Sequence, residues 1–161
     1  MVVIVMGVSG AGKTTEGRAL AASLGWRFVD ADDLHPQSNI AKMAAGVPLT
    51  DEDRWPWLRM LSGLIGAALK QGDDLVVACS ALKASYRQVL EVDPARMRWV
   101  YLDAPREVLA SRLAQRHGHF MPPSLLDSQL ETLELPANAL RVDVTPPPEE
   151  VVKRIREGLG L

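Results

Sequence analysis

Cysteine is nearly absent from this chain: Cys79 is the single one in 161 residues. An internal disulfide framework is therefore excluded, and a reducing compartment is the expected setting. An excess of charge of either sign is also lacking. Eighteen Lys and Arg stand against twenty Asp and Glu, a formal net charge of −2. No basic surface argues for nucleic acid or for an anionic membrane. The apolar runs are far too short to span a bilayer, and Met1 leads into an apolar stretch with no basic segment or cleavage site before it. No signal peptide is expected, and the chain reads as cytoplasmic, with neither nucleic acid nor membrane as partner. Repeats and low-complexity segments are missing, and Pro146-Pro147-Pro148 is too short for a linker. What remains is 47% hydrophobic and 24% charged, ordinary for one globular domain over residues 1–161.

The most informative stretch is Gly7-Val8-Ser9-Gly10-Ala11-Gly12-Lys13-Thr14. It fits G-x-x-x-x-G-K-[ST], the phosphate-binding P-loop. The apolar, β-branched run at 2–6 predicts a buried strand before it, and residues 14–24 predict a helix after it. That order is what the chemistry needs. Glycines let successive backbone N–H groups turn toward a phosphate, and the helix N-terminus adds partial positive charge. Lys13 is placed to reach the β- and γ-phosphates, and the Thr14 hydroxyl to ligate Mg²⁺.

Further strands are expected at 26–29, 75–79, 99–102 and 140–144, and helices at 14–24, 38–45, from 51, from 81, from 105, 124–135 and from 148. In the first helix Ala19, Leu20, Ser23 and Leu24 suggest one small apolar face. Strands alternating with helices predict a parallel α/β sheet covered on both faces. Asp30 and Asp32 follow the second strand, where open α/β sheets bind ligands, and share a face if the strand continues. Thr50 reads as an N-cap. Arg54 sits in a first turn, where a cation opposes the helix dipole; either a task elsewhere or a partner such as Asp51 accounts for it. Lys83 and Arg87 are four apart, on one helix face close to a strand end. They read equally as an anion site or as a solvated face. Arg112 and Arg116 repeat that spacing ahead of a Gly- and Pro-containing loop, as a closing lid requires. Cys79 reads as a small core residue.

At this level of detail the chain resembles the gluconate kinases, within the shikimate-kinase and nucleoside-monophosphate-kinase branch of P-loop proteins. The likeness runs through nearly the whole chain. It is carried by the P-loop, by Asp30-Ala31-Asp32-Asp33-Leu34-His35-Pro36, and by Asn39-Ile40-Ala41-Lys42-Met43. Pro48-Leu49-Thr50-Asp51-Glu52-Asp53-Arg54, Cys79-Ser80-Ala81-Leu82-Lys83, Tyr86-Arg87, Gly118-His119-Phe120 and Leu133-Glu134 continue it. The resemblance implies a three-layer P-loop kinase fold with a five-stranded sheet in the order 2-3-1-4-5 and a lid at about 116–123. It implies ATP-dependent phosphorylation of gluconate, Mg²⁺ as cofactor, and a homodimer. ATP would be bound by residues 7–14 (Gly7, Val8, Ser9, Gly10, Ala11, Gly12, Lys13 and Thr14), with Thr15, Arg112 and Arg116. Arg112 would lie against adenine and Arg116 would close over the phosphates. Mg²⁺ would be held by Thr14 and, through water, by Asp30. Asp32 would take the acceptor's proton. Arg54, Lys83 and Arg87 would face the acceptor, with His35 and Ser80 pairing its hydroxyls. The third strand ends in Cys79-Ser80 and carries no metal-binding Asp, so the metal depends on Thr14 and the second strand's acids.

Two other readings compete. Another small-molecule kinase of this architecture would act on shikimate or a nucleoside monophosphate. A nucleotide-dependent switch would need a metal-binding Asp at the end of a later strand, which is missing.

Overall fold

An unbroken apolar run can satisfy both faces of a strand only in the middle of a covered sheet. In the computed structural model, which describes residues 1–115 and 123–161, that run is β1 (Val2–Met6), buried throughout. The chain continues through α1 (Lys13–Leu24), β2 (Arg27–Asp30), a 3-10 turn (Ala31–Leu34), α2 (Gln37–Ala44) and α3 (Asp51–Gln71). Then come β3 (Leu75–Ala78), α4 (Ala84–Leu90), a short 3-10 turn (Pro94–Arg96), β4 (Met97–Asp103) and α5 (Arg106–Ala114). The described chain ends with α6 (Pro123–Thr132), β5 (Leu140–Asp143) and α7 (Pro148–Leu159).

The sheet order is β2-β3-β1-β4-β5, and each pair is parallel. This is the order and the strand number that the resemblance implies. Ile4 lies between Val77 and Trp99, at the centre of the sheet. Side chains alternate along β1 and so build two cores. Val2, Ile4 and Met6 pack with Trp57, Leu58, Leu61 and Ile65 of α3. Val3 and Val5 pack with Leu20 of α1 and with Val151 and Ile155 of α7. Parallel pairing sends the carboxyl ends of β1, β2 and β3 to one edge, which collects the P-loop, Asp30 and Ser80. No helix among the described residues is long and apolar enough to cross a membrane.

Several local expectations are corrected. The buried face of α1 is Glu16, Gly17, Leu20 and Ala21, whereas Ser23 is exposed. The helix turns Gly17 inward because Phe28 fills that space; a Cβ at Gly17 would lie 2.7 Å from the Phe28 ring. Ser23 instead accepts a surface hydrogen bond from Arg156. The second strand ends at Asp30, so Asp30 and Asp32 do not alternate along one strand face. The chain curls at once into the 3-10 turn, and the Asp32 N–H donates to Asp30 Oδ1 at 3.0 Å. Lys83 caps α4 in an extended conformation, so it does not share a helical face with Arg87. The helix expected at 124–135 stops at Thr132. Its continuation is clasped by the segment after β3, with the Glu134 N–H on the Leu82 carbonyl and Glu134 Oε1 accepting from the Ala84 N–H.

The start of α3 carries a reciprocal cap. Thr50 Oγ1 accepts from the Asp53 N–H, and Asp53 Oδ2 accepts from the Thr50 N–H at 2.9 Å. Lys42 and the Thr50 N–H bind the Asp53 carboxylate and hold its pKa down at about 2. Thr50→Ala removes one arm of this box and is expected to cost about 1 kcal/mol. The urea midpoint should fall with the slope unchanged; an unshifted midpoint would show that the box contributes nothing.

Candidate active site

The P-loop leaves β1 and enters α1 with Gly10 and Gly12 in the left-handed region, both at φ 86°, after Gly7 at φ 153°. At Gly10 a side chain is excluded twice, because a Cβ would also lie 2.8 Å from the Leu109 carbonyl of α5. Within the loop Lys13 Nζ donates to the Val8 carbonyl at 3.1 Å. The Ser9 N–H donates to Gln129 Oε1 of α6 at 2.8 Å. The loop is thus held against β4, α5 and α6, with its remaining backbone donors gathered at the start of α1.

One cavity opens beside Lys13. Asp32, His35, Arg54 and Ser80 line it with Ser9, over a wall of Trp57 and Leu125. His35 is buried and stacked on Trp57, ring centroids 4.0 Å apart. Asn39 fixes its tautomer. Asn39 Nδ2 donates to the Asp53 carbonyl at 2.8 Å and approaches His35 Nδ1 at 3.2 Å. That leaves the proton of a neutral imidazole on Nε2, 3.9 Å from Asp32 Oδ1. Burial keeps His35 neutral by pushing its pKa down, against the pull of Asp32. A neutral donor therefore faces a carboxylate at the cavity wall.

Arg54 reaches this cavity from the first turn of α3. Its Nη1 donates to the Leu49 carbonyl at 2.7 Å and to Tyr86 Oη at 3.1 Å, with the guanidinium over the Tyr86 ring. Asp51 acts on Arg54 through its charge and through their shared partner Tyr86, without a direct hydrogen bond between the two. Asp51 accepts from Tyr86 and from Lys83, whose Nζ lies 3.1 Å away, and those bonds hold its pKa below the usual carboxylate range. Lys83 is therefore already paired. Arg87 is not brought to this cavity. It donates to the carbonyls of Ala81 and Glu134 at 2.7 and 2.9 Å, and it lines a separate depression beside Trp99. Ala81 has φ 46°, unusual for a side-chain-bearing residue, and the Arg87 contact ties that backbone down.

Thr14 Oγ1 donates to Asp30 Oδ2 at 2.8 Å. A hydroxyl and a carboxylate are hard oxygen donors, and Mg²⁺ is commonly held by one or two carboxylates together with phosphate and water. Among the described residues no group of three or more His, Cys, Asp and Glu converges on a metal position. The donor set thus fits Mg²⁺ shared with a phosphate better than an all-protein cage. Cys79 is buried and its thiol is pushed up to about 12 by desolvation, which leaves it unreactive.

On the other side of the P-loop a second cavity is lined by Gly10, Gly12, Thr15, Glu16 and Arg112, with Pro146 and Pro148. Arg112 is anchored by Nη2 donating to the Val144 carbonyl at 2.6 Å. Arg116 lies outside the described residues, as does the expected lid up to residue 122.

A profile of the AAA domain family matches residues 2–136. The gluconokinase of Gluconobacter oxydans strain 621H is 46% identical over 155 residues, covering 94% of this chain and 87% of that protein. The chain belongs to the gluconokinase family. The thermosensitive gluconokinase of Escherichia coli strain K12 is 41% identical, covering 97% of this chain and 86% of that protein. Among solved structures, a gluconokinase from Sinorhizobium meliloti 1021 superposes with a TM-score of 0.87 at 47% identity, over 99% of this chain and 91% of that one. The family is that of P-loop kinases, and the chain is a kinase.

Spacing alone assigned no role to four residues that shape this gluconokinase-family site: Asn39 and Tyr86, which stand only within the motifs of the resemblance, and Gln129 and Glu16. Tyr86 and Gln129 act across the fold, from 32 and 120 residues away in sequence, a distance that spacing does not reveal. Glu16 did carry a local signal, since it stands four before the buried Leu20 and so on the same inward face. Burial, opposed by Arg112, raises the Glu16 pKa from 4.5 to about 7. The native chain therefore holds this proton more tightly than the unfolded chain, and stability is lost as pH climbs from about 4.5 to about 7. Thermal melts without nucleotide should show Glu16→Gln gaining more over the parent at pH 8 than at pH 5. An equal difference at both pH values would mean that the carboxyl titrates as in water.

Proposed function

We propose that this kinase transfers the γ-phosphoryl group of ATP to the primary hydroxyl of gluconate. The observation that carries the reading is the cavity where the P-loop lysine meets Asp32, His35 and Arg54, in a chain 46% identical to a gluconokinase. In this reading the loop N–H groups and the α1 N-terminus hold the phosphates, and Lys13 offsets charge on the transferring group. Thr14 and, through water, Asp30 would hold Mg²⁺, which would supply positive charge to the phosphate oxygens. Asp32 aligns the acceptor hydroxyl and takes its proton as the new O–P bond forms and the β–γ bridging bond breaks. ADP leaves with the bridging oxygen. His35, through Nε2–H, and Ser80 pair hydroxyls along the acceptor chain. Arg54 holds the carboxylate, for which a planar fork is suited. Tyr86 keeps that fork in place, and Lys83 supports it through Asp51. Arg87 acts at a distance, by fixing the Ala81 turn beside Ser80. Arg112 lies against the base, and Arg116 closes over the phosphates from a lid at 116–123. A cytoplasmic homodimer completes the proposal.

The acceptor is tested by coupling ADP release to product analysis with gluconate, glucose, shikimate and a nucleoside monophosphate. Gluconate should be strongly preferred, because glucose has the hydroxyl without the carboxylate and leaves Arg54 unmatched. Equal phosphorylation of glucose would remove the carboxylate anchor, and a preference for shikimate or the nucleotide would replace the acceptor altogether.

Two variants divide the roles. Asp32→Asn should lower kcat by about 10²- to 10⁴-fold, the usual range for losing a general base, with ATP binding little changed. Arg54→Ala should raise the KM for gluconate and leave that for ATP nearly constant. A loss of ATP affinity with retained turnover in Asp32→Asn would move Asp32 to the metal and leave the base to another group.

A further inference from the structure

Glu16 is out of place on α1. The inward positions of that helix are Glu16, Gly17, Leu20 and Ala21, and three of the four are apolar or glycine. Glu16 is 4% exposed. Its Oε2 is buried and has no hydrogen-bond partner among the described residues. An unpartnered buried carboxyl oxygen weakens a fold, and a leucine would serve the packing of α1 at less cost. The oxygen is nonetheless not in a sealed core. Glu16 lines the cavity beyond the P-loop, next to Thr15 and across from Arg112. The charged groups that act on it are Arg112 of α5, which attracts, and Glu149 of α7, which repels.

The occupant of that cavity has a definable chemistry. A nucleotide whose phosphates rest on the loop would extend its nucleoside past Thr15, toward Arg112 and the prolines at the start of α7. A nucleoside offers donors of two kinds, ribose hydroxyls and the exocyclic base amine. Glu16 is the carboxylate among the described residues lining this cavity. We propose that Glu16 is a specificity-determining residue of the nucleotide site, its carboxylate accepting a hydrogen bond from a donor on the nucleoside. The inference rests on the reading of the protein as an ATP-dependent kinase. Electrostatics sharpens the sign. Above the raised pKa of about 7, where Glu16 is ionised, its negative carboxylate close to a polyphosphate repels it, so charge alone predicts tighter ATP binding once Glu16 is removed. A hydrogen bond predicts weaker binding.

The test uses the full chain, with Glu16→Leu and Glu16→Gln as variants. KM and kcat are measured for ATP, 2′-deoxy-ATP, 3′-deoxy-ATP and purine riboside triphosphate, which lacks the amine. Glu16→Leu should raise the KM for ATP roughly 10- to 100-fold, the scale of one charge-assisted hydrogen bond, with kcat moving far less. Its melting temperature without nucleotide should be no lower than the parent's. Glu16→Gln, which keeps an acceptor oxygen, should recover much of the affinity. The parent should bind one of the three analogues as weakly as Glu16→Leu binds ATP, and that analogue should lose nothing further in the variant. Its identity tells hydroxyl from amine. An unchanged or lower KM for ATP in Glu16→Leu overturns the inference. So does an equal loss for all four nucleotides, which marks a structural effect. Should Glu16→Leu fail to fold, the parent decides: equal affinity for all four nucleotides also overturns it. Calorimetric titration with ATP separates this from the kinase reading. ATP binding that responds to Glu16 with no transfer to any acceptor defeats the kinase reading alone.

Discussion

The site depends on one tight passage. Between β1 and α1 the chain reverses over a few residues, and it does so pressed against the backbone of α5, where Gly10 leaves no room for a side chain. The reversal points backbone donors at one spot just beyond the central strand, and the strand itself is locked by neighbours on both sides. A loop supported this way is pre-organised, so little ordering remains when an anion arrives. The same packing ties the loop to α6 through Gln129.

The acceptor side is built on a different principle. No single element carries it. Asp32 and His35 come from the turn after β2, Arg54 from the first turn of α3, and Ser80 from the end of β3. The polar network of Asp51, Tyr86, Lys83 and Arg54 joins α3 to α4, while Trp57 stacks beneath His35 and bonds the Ala31 carbonyl at 2.7 Å. These contacts are anchored in a 21-residue helix whose body forms one of the two cores. The cation in the first turn of α3, unfavourable to the helix dipole, is thereby held by a carbonyl, a hydroxyl and a ring face.

Much of this was legible in the sequence, for identifiable reasons. The P-loop spacing and the run at 2–6 each have one physical solution, and strands alternating with helices leave few alternatives to a parallel sheet. Thr50 was readable as a cap because capping is local. What escaped was set by distant contacts. The inward face of α1 was turned by Phe28 at Gly17. The pairing of Lys83 with Asp51 across two helices drew it away from the shared face that its spacing with Arg87 suggests. Arg87, read equally as anion site or solvated face, does neither: its guanidinium is taken up by main-chain carbonyls. Side-chain identity and spacing announce which charges are near a site, and the partners that satisfy them are decided by packing.

Asp51 also bears on the charge of the acceptor cavity. Its carboxylate sits against both Lys83 and the Tyr86 hydroxyl, which cancels the lysine's charge where it stands. Among the described residues that line the acceptor cavity, Lys13 and Arg54 are then the cations, and Asp32 lies at its wall with Asp30 behind. In the proposed reaction a singly charged acceptor enters, and the product carries about two more negative charges. Those charges arise between Lys13, which attracts them, and Asp32, which repels them. Transfer thus brings new negative charge up against Asp32, a repulsion that the entering acceptor hydroxyl does not feel.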